Sequence, residues 1–90
     1  MPAQGPVTAT TRYFDEQVLR KRPYLTLAMC EAVIAAPLRR AVQDDGRVRY
    51  WGEVRVAGED RPRVLRVVTL EDGATVHNAF FDRGYREEES

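Results

Sequence analysis

An Asp-Gly pair between two apolar, β-branched runs is the feature that most constrains how this chain folds. It belongs to Glu71-Asp72-Gly73, which interrupts an apolar stretch from Val64 to Phe81. Glycine accepts the positive φ of tight hairpin turns, so the pattern predicts a β-hairpin. The hairpin also carries the only histidine, His77, next to Asn78. If the protein performs chemistry, we therefore expect it on this hairpin and on the strand before it.

A period of two extends the predicted sheet toward the N-terminus. Leu38 to Gln43 is expected to form the first strand, and Asp44-Asp45-Gly46 a second Asp-Gly turn. Arg47 to Val56 follows with the cleanest apolar–polar alternation in the chain. Its core face is expected to hold Val48, Tyr50, Val54 and Val56, and its other face Arg47, Arg49, Trp51, Glu53 and Arg55. Gly52 lies in mid-strand, where a glycine marks a bulge or a close backbone approach.

Two helices are predicted ahead of the sheet. Asp15 is the expected N-cap of a short helix, Glu16 to about Arg22, which must end before Pro23. Thr26 can cap a second helix that runs to about Ala36. The apolar face of this second helix is formed by Leu27, Cys30, Val33 and Ile34. We expect that face to cover the sheet.

These elements predict a single α+β domain over residues 12–86, with two N-terminal helices packed on a four-stranded antiparallel β-meander. Residues 1–11 are expected to be a flexible arm, although Thr8 to Tyr13 could add an edge strand. Residues 87–90 are expected to form an acidic C-terminal tail.

Composition limits the class of protein. The chain of 90 residues is long enough for one domain, and 43% of its residues are hydrophobic. Cys30 is the only cysteine, which excludes an intrachain disulfide. No apolar stretch approaches the roughly 18 residues of a membrane span, and the N-terminus has no secretory signal pattern. A cytoplasmic protein without a membrane partner is therefore expected.

The charge of the chain is balanced, with 14 basic and 14 acidic residues and a pI near 6.6. All the basic residues except Lys21 are arginine, whose planar guanidinium suits phosphate and carboxylate groups. RNA-binding domains usually carry a basic excess. Total charge therefore argues mildly against a nucleic-acid partner.

The turn geometry decides which side chains of the hairpin meet. A two-residue Asp-Gly turn pairs Val68 with His77 and places Arg66 diagonally beside His77. A three-residue turn with Gly73 in the left-handed conformation instead pairs Arg66 with Asn78. The two-residue register is favoured because it offers the helices one consistent face, formed by Leu65, Val67, Val76 and Phe80. In either register a guanidinium, an amide and an imidazole lie within a few residues of one another.

Metal-independent cleavage of RNA is the reaction that these residues could support. The sequence contains no metal-ligand spacing, no phosphate-binding glycine loop and no Ser-His-Asp order, and it implies no cofactor. RNA cleavage requires proton transfer and neutralisation of charge on the phosphate. The proton-transfer candidates are His77 and Glu53, and the phosphate-binding candidates are Arg49, Arg66 and Arg83. The candidates for stacking on unpaired bases are Tyr50, Trp51 and Tyr85.

Each of these candidates also has an ordinary structural interpretation. A lone histidine in a strand, such as His77, is more often a hydrogen-bonded structural residue. Trp51 is as well suited to cap a hydrophobic edge as to stack on a base. Arg20-Lys21-Arg22, at the end of the first helix, is either a solvated helix end or a phosphate contact.

Three segments carry a resemblance to a known family: Tyr13-Phe14-Asp15, Lys21-Arg22, and Arg63 to Arg86. With the order short helix, longer helix and meander, the chain resembles the RelE/ParE superfamily of small bacterial toxins, and within it the BrnT-like branch and its uncharacterised relatives. The resemblance implies cleavage of mRNA, on the ribosome or free, and a cognate antitoxin that covers the active face. By position, the resemblance implies that Arg66, His77 and Arg83 correspond to strand and tail residues that are functional in that superfamily. The neutral charge and the acidic ending depart from the usual basic toxin.

Two functions are therefore predicted as alternatives. The first is a toxin-like, metal-independent mRNA endoribonuclease of a toxin–antitoxin system. Its catalytic residues are expected to be His77, Arg66 and Arg83, and its RNA-binding residues Arg49, Tyr50, Trp51, Lys21 and Arg22. The second is a non-catalytic domain of the same fold that binds a protein partner or forms a homodimer, with Trp51 and the arginines at the interface.

Overall fold

The predicted α+β architecture is confirmed by the computed structural model, which describes residues 9–85. Two helical segments precede a four-stranded antiparallel sheet of strand order β1-β2-β3-β4. The first segment, α1, joins a π-helical turn, Phe14–Val18, to a short α-helix, Leu19–Lys21; the second, α2, is Leu27–Ala35. The strands are β1, Arg39–Val42; β2, Val48–Val54; β3, Arg63–Thr69; and β4, Val76–Phe81. Among residues 9–85, no helix combines the length and apolar composition needed to cross a membrane.

Helix α2 lies on the middle of the sheet, as its sequence predicts. The Met29 N–H donates to the Thr26 side-chain oxygen at 3.2 Å, which confirms Thr26 as the N-cap. Val33 of α2 packs directly over Gly52 of β2, where an added Cβ would lie 3.1 Å from the valine methyl carbons. Gly52 therefore marks a close approach between helix and strand, one of the two predicted alternatives.

Helix α1 begins earlier than predicted. The Phe14 N–H donates to the Thr11 side-chain oxygen at 3.1 Å, and the Asp15 N–H donates to the Thr11 carbonyl oxygen at 3.1 Å. The prediction of Asp15 as the N-cap was wrong, because Thr11 already satisfies the first free N–H groups. The N–H of Leu19 then bonds the carbonyl of Phe14, five residues back, and the helix contains a π-turn. This turn buries Phe14 and Val18 against the sheet.

The two helical segments cover one face of the sheet and leave the other uncovered. The covered face includes Val48, Tyr50, Val54, Leu65, Val67, Val76 and Ala79, all of which are buried. Val56, predicted for the same face, lies beyond the end of β2 and is only half-buried. Phe80 was predicted to face the helices, but Phe81 packs there and Phe80 lies on the uncovered face.

A β-bulge in the β3–β4 pair explains why Phe80 lies on the uncovered face and not on the predicted one. Next to the turn, Thr69 pairs with Val76, whereas Val68 pairs with Asn78, so His77 is an extra residue in β4. Arg66 consequently pairs with Phe80. Both predicted registers were wrong for Arg66, because each assumed an unbroken alternation along β4.

The residues that precede α1 run alongside β4. The Val76 N–H donates to the Ala9 carbonyl at 2.8 Å, and the Thr11 N–H donates to the Val76 carbonyl at 3.0 Å. From residue 9 onward, the expected edge strand is represented by one parallel bridge, between Thr10 and Val76. The rest of the predicted arm, residues 1–8, and the predicted acidic tail, residues 87–90, lie outside the described residues.

Candidate functional site

A row of alternating arginine and aromatic side chains crosses the uncovered face of the sheet. In the strand registers Arg39 lies opposite Trp51, Trp51 opposite Arg66, and Arg66 opposite Phe80. The guanidinium carbons of Arg39 and Arg66 lie 5.4 and 5.5 Å from the centre of the Trp51 ring. The Arg66 guanidinium carbon is also 4.7 Å from the centre of the Phe80 ring. These distances are in the cation–π range, and we call Arg39, Trp51, Arg66 and Phe80 the arginine–aromatic row.

Asp82, the residue after β4, bonds the two central residues of this row, Trp51 and Arg66. Its Oδ2 accepts hydrogen bonds from Trp51 Nε1 at 3.1 Å and from Arg66 Nη2 at 3.0 Å. Partial burial would raise the pKa of Asp82, but the hydrogen bonds from Trp51 and Arg66 and the positive charge of Arg66 together lower it. Asp82 is therefore ionised at neutral pH and neutralises Arg66 within the molecule.

Tyr85 covers Trp51 on the uncovered face. The two rings are stacked, with centroids 6.1 Å apart and an angle of 29° between their planes. Trp51 is only 7% exposed, although neither α1 nor α2 covers this side of the sheet. In this conformation the Trp51 ring is not free to stack on a base.

Two guanidinium groups on the same face have no carboxylate partner among residues 9–85. One is Arg39, at the end of the row, and the other is Arg49, which lies opposite Ala41 of β1 and Val68 of β3. Arg49 Nε donates to the side-chain oxygen of Gln43 at 2.6 Å, which orients the group but leaves its charge. The uncovered face thus offers two available cations, of which Arg39 contacts the ring of Trp51.

His77 lies at the bulge and contacts the segment before α1. Its Nδ1 is 3.0 Å from the Thr11 hydroxyl oxygen, and its ring stacks on Tyr13 with centroids 4.9 Å apart. The Thr11 hydroxyl oxygen also accepts the Phe14 N–H, so one threonine side chain connects His77 to the first turn of α1. The contacts match the structural interpretation of His77, as a residue that attaches the N-terminal segment to β4.

Burial lowers the pKa of His77 below its ordinary value of 6.5, and the positive charge of Arg47 lowers it further. A neutral folded histidine contributes stability that is present above pH 6.5 and declines as pH falls toward its folded pKa. Because His77 is the only histidine, its Cε1–H signal in an NMR titration reports this value without ambiguity. We expect a midpoint below 6.5 in the folded protein and near 6.5 in urea. A folded midpoint at or above 6.5 would contradict the described environment.

The predicted catalytic residues are not brought together. Arg66 pairs with Phe80, three positions beyond His77, and its charge is taken by Asp82. Arg83 is exposed in the turn after β4, where it lines a cleft with Arg63 and Tyr85. No hydrogen bond or ion pair among residues 9–85 joins His77 to Arg66 or Arg83. The geometry therefore provides no preassembled group for proton transfer and phosphate binding.

The predicted RNA-binding residues divide between the two sides of the sheet. Arg49 and Trp51 lie on the uncovered face. Tyr50 belongs to the core and donates its hydroxyl proton to the Gly73 carbonyl at 2.8 Å. Lys21 and Arg22 lie at the end of α1, in the helical layer on the opposite side. Only Arg49 and Trp51 of this set therefore share a surface.

Sequence reasoning missed Arg39 and Asp82. Arg39 could have been found from the Asp44-Asp45-Gly46 turn, because that turn places it opposite Trp51. Asp82 had no local signal, since only the register of β3 and β4 brings it to Trp51 and Arg66.

No group of three or more potential metal ligands occurs in the described part of the chain. Comparisons with models of known protein families, with curated proteins and with solved structures found no match.

Proposed function

We propose that this domain binds single-stranded RNA on the uncovered face of its sheet. The observation that carries the proposal is the position of Arg39 and Arg49, two guanidiniums without a carboxylate partner among residues 9–85, on the same sheet face as the rings of Trp51 and Phe80, with Arg39 in contact with Trp51. Proteins that bind single strands combine cations for the phosphates with aromatic rings for the bases. An antiparallel sheet presents both on one flat surface.

The total charge of the chain is balanced, but the charge on this face is not. In the described part of the chain, the strands and the turn after β4 bring Glu53 and Asp82 to this face. Asp82 is already paired with Arg66. Asp45 accepts a hydrogen bond from the Gln43 side chain that orients Arg49, but its charge is paired with Arg47. Among residues 9–85, Glu53 is therefore the carboxylate of this face that is not in an ion pair. A phosphate near β1 and β2 therefore meets a locally positive surface. Arginine is suited to this contact because its planar fork forms two parallel hydrogen bonds with one phosphate.

Binding is the part of the RNA hypothesis that the contacts support. The separation of Arg66 from His77, and the hydrogen bond between Thr11 and His77, do not favour cleavage by that pair. Endoribonuclease activity, a toxin role and a cognate antitoxin stay predictions that rest on the resemblance. Incubation of labelled RNA with the wild-type protein and with His77→Ala tests cleavage separately from binding.

Fluorescence anisotropy with a short fluorescein-labelled oligouridine tests the proposed function. The double variant Arg39→Glu/Arg49→Glu is expected to bind RNA at least about tenfold more weakly, because two phosphate contacts become repulsive. Each contact to a single strand contributes roughly 0.7 to the slope of log affinity against log salt, so that slope should fall by about 1.4. The matched control is Arg20→Glu/Arg61→Glu, which changes the same charge at exposed positions off this face.

Three results would overturn the proposal. The first is the absence of RNA binding by the wild-type protein at low salt. The second is equal weakening in the double variant and its control, which would show that charge alone is responsible. The third is concentration-dependent association of the RNA-free protein, detected by light scattering and abolished by Trp51→Glu. That result would assign the face to a second copy of the chain.

A further inference from the structure

We infer that Trp51 is a base-stacking subsite of this face and that Tyr85 occupies the subsite in the unbound protein. The inference rests on the proposed function and adds to it a ligand group, a single nucleobase, and a residue that the base displaces. Trp51, the largest aromatic side chain on the uncovered face, is 7% exposed, and the stacked ring of Tyr85 contributes to its cover.

The surroundings of Trp51 would hold the ring in place if Tyr85 left. Its Nε1–H donates to Asp82 at 3.1 Å, and Arg39 and Arg66 contact the ring from the neighbouring strands. None of these contacts involves Tyr85. If Tyr85 moved away, the surface of the Trp51 ring would therefore be exposed, and Trp51 would keep its hydrogen bond to Asp82.

Tyr85 is held less firmly than Trp51. It follows a turn in which the Gly84 N–H donates to Asp82 Oδ1 at 3.0 Å. Its own N–H lies 3.4 Å from the Asp82 carbonyl, beyond the usual range of such bonds. Among residues 9–85, the one aromatic partner of the Tyr85 ring is Trp51.

A nucleobase can replace a tyrosine on this ring. Each presents a flat π-face, and stacking of a base on an aromatic side chain tolerates any sequence because every base has such a face. The available cations lie next to the subsite, since Arg39 contacts the Trp51 ring and Arg49 precedes it by two residues on β2. A nucleotide stacked on Trp51 would thus keep its phosphate within reach of a guanidinium.

The unique tryptophan makes the displacement measurable. Unlabelled oligouridine is expected to quench the fluorescence of Trp51 in the wild-type protein, with the same concentration dependence as the anisotropy change. Tyr85→Ala is expected to bind the RNA about three- to tenfold more tightly, because a binding site that is only fractionally open weakens the apparent affinity by that fraction. In the RNA-free Tyr85→Ala variant, the fluorescence emission maximum of Trp51 should also shift to longer wavelength, because the ring becomes more exposed to water.

Tyr24→Ala is the matched control. Tyr24 is also a partly exposed tyrosine stacked on one ring, at 5.5 Å from Phe81, but that ring belongs to the helical side of the sheet. Its removal should leave RNA affinity unchanged. Tyr85→Phe, which keeps the stacked ring, should bind RNA as the wild-type protein does.

The outcomes separate this inference from the function on which it rests. RNA binding by anisotropy without quenching of Trp51 would overturn the subsite and leave the RNA-binding face intact. Weaker or unchanged affinity of Tyr85→Ala would overturn the displacement, since Tyr85 would then be a ligand contact or a permanent cover. The absence of both signals in the wild-type protein would overturn the proposed function itself. Quenching is read in the wild-type chain, so this part does not depend on the folding of a variant.

Discussion

Phe14→Ala is expected to lower the free energy of unfolding by about 3–5 kcal/mol, the usual cost of truncating a fully buried phenylalanine. Phe14 is 0% exposed and belongs to the π-turn that rests on the sheet. Native domains are stable by only about 5–15 kcal/mol, so this single truncation removes much of the margin. The variant should therefore unfold at much lower urea concentration.

Urea unfolding followed by circular dichroism measures this difference. Gln17→Ala is the control, because Gln17 lies exposed on the same π-turn and its truncation should change stability by less than about 0.5 kcal/mol. A cost below about 1 kcal/mol for Phe14→Ala would mean that α1 is not packed on β4 in solution. The contacts of Thr11 and Tyr13 with His77 would then be in doubt as well.

Asp82→Ala is expected to cost about 2–3 kcal/mol, because it leaves a partly buried guanidinium and an indole N–H without their acceptor. The carboxylate bonds Trp51 Nε1 and two nitrogens of Arg66, and its side chain is 15% exposed. A surface ion pair would contribute about 1 kcal/mol or less. A measured cost below that value would show that the arrangement around Trp51 is not a stabilising one.

The contribution of Asp82 should also depend on pH. Its pKa is lowered in the folded protein, so the stabilisation is present above the ordinary value of 3.8 and is lost as pH falls through the folded pKa. The difference in unfolding free energy between wild type and Asp82→Asn should therefore shrink below pH 3.8. Asp60→Asn is a suitable control, because Asp60 is exposed and accepts a hydrogen bond from Arg55 only through its backbone. The control should leave the unfolding free energy within about 0.5 kcal/mol of the wild-type value, as is usual for surface substitutions.

Local signals in the sequence were sufficient to predict the elements of the fold. Gly46 and Gly73 both adopt positive φ, as Asp-Gly turns require, and they place the two hairpins correctly. Thr26 supplies the N-cap of α2 that the sequence indicates. These features depend on a few neighbouring residues, which is why a single sequence reveals them.

The errors arise where contacts between distant residues decide the outcome. Thr11, and not Asp15, caps the start of α1, and its hydroxyl also contacts His77, far along the chain. The bulge at His77 reversed the expected faces of Phe80 and Phe81. Alternation along one strand cannot reveal an extra residue that only pairing with the next strand exposes.

The candidate site was predicted in part for the same reason. Arg49 and Trp51 were correctly assigned to one face, because β2 keeps a regular alternation over its full length. Arg66 was expected beside His77 or Asn78, and its pairing with Phe80 and its contact with Asp82 follow from the bulge. The environment of a side chain on a sheet thus depends on every register between it and its neighbours.

The bulge also indicates which length changes strand β4 tolerates. Without His77, the strand would alternate regularly, with Val76, Ala79 and Phe81 toward the helices and Asn78 and Phe80 away from them. Deletion of His77 should therefore leave the core composition unchanged. Deletion of Ala79 would instead change the core in either case: Phe80 would replace Ala79 and Phe81 would turn outward if the bulge were kept, and Asn78 would turn toward the helices if the bulge were lost. In related chains, insertions and deletions in this segment are accordingly expected at the position of the histidine.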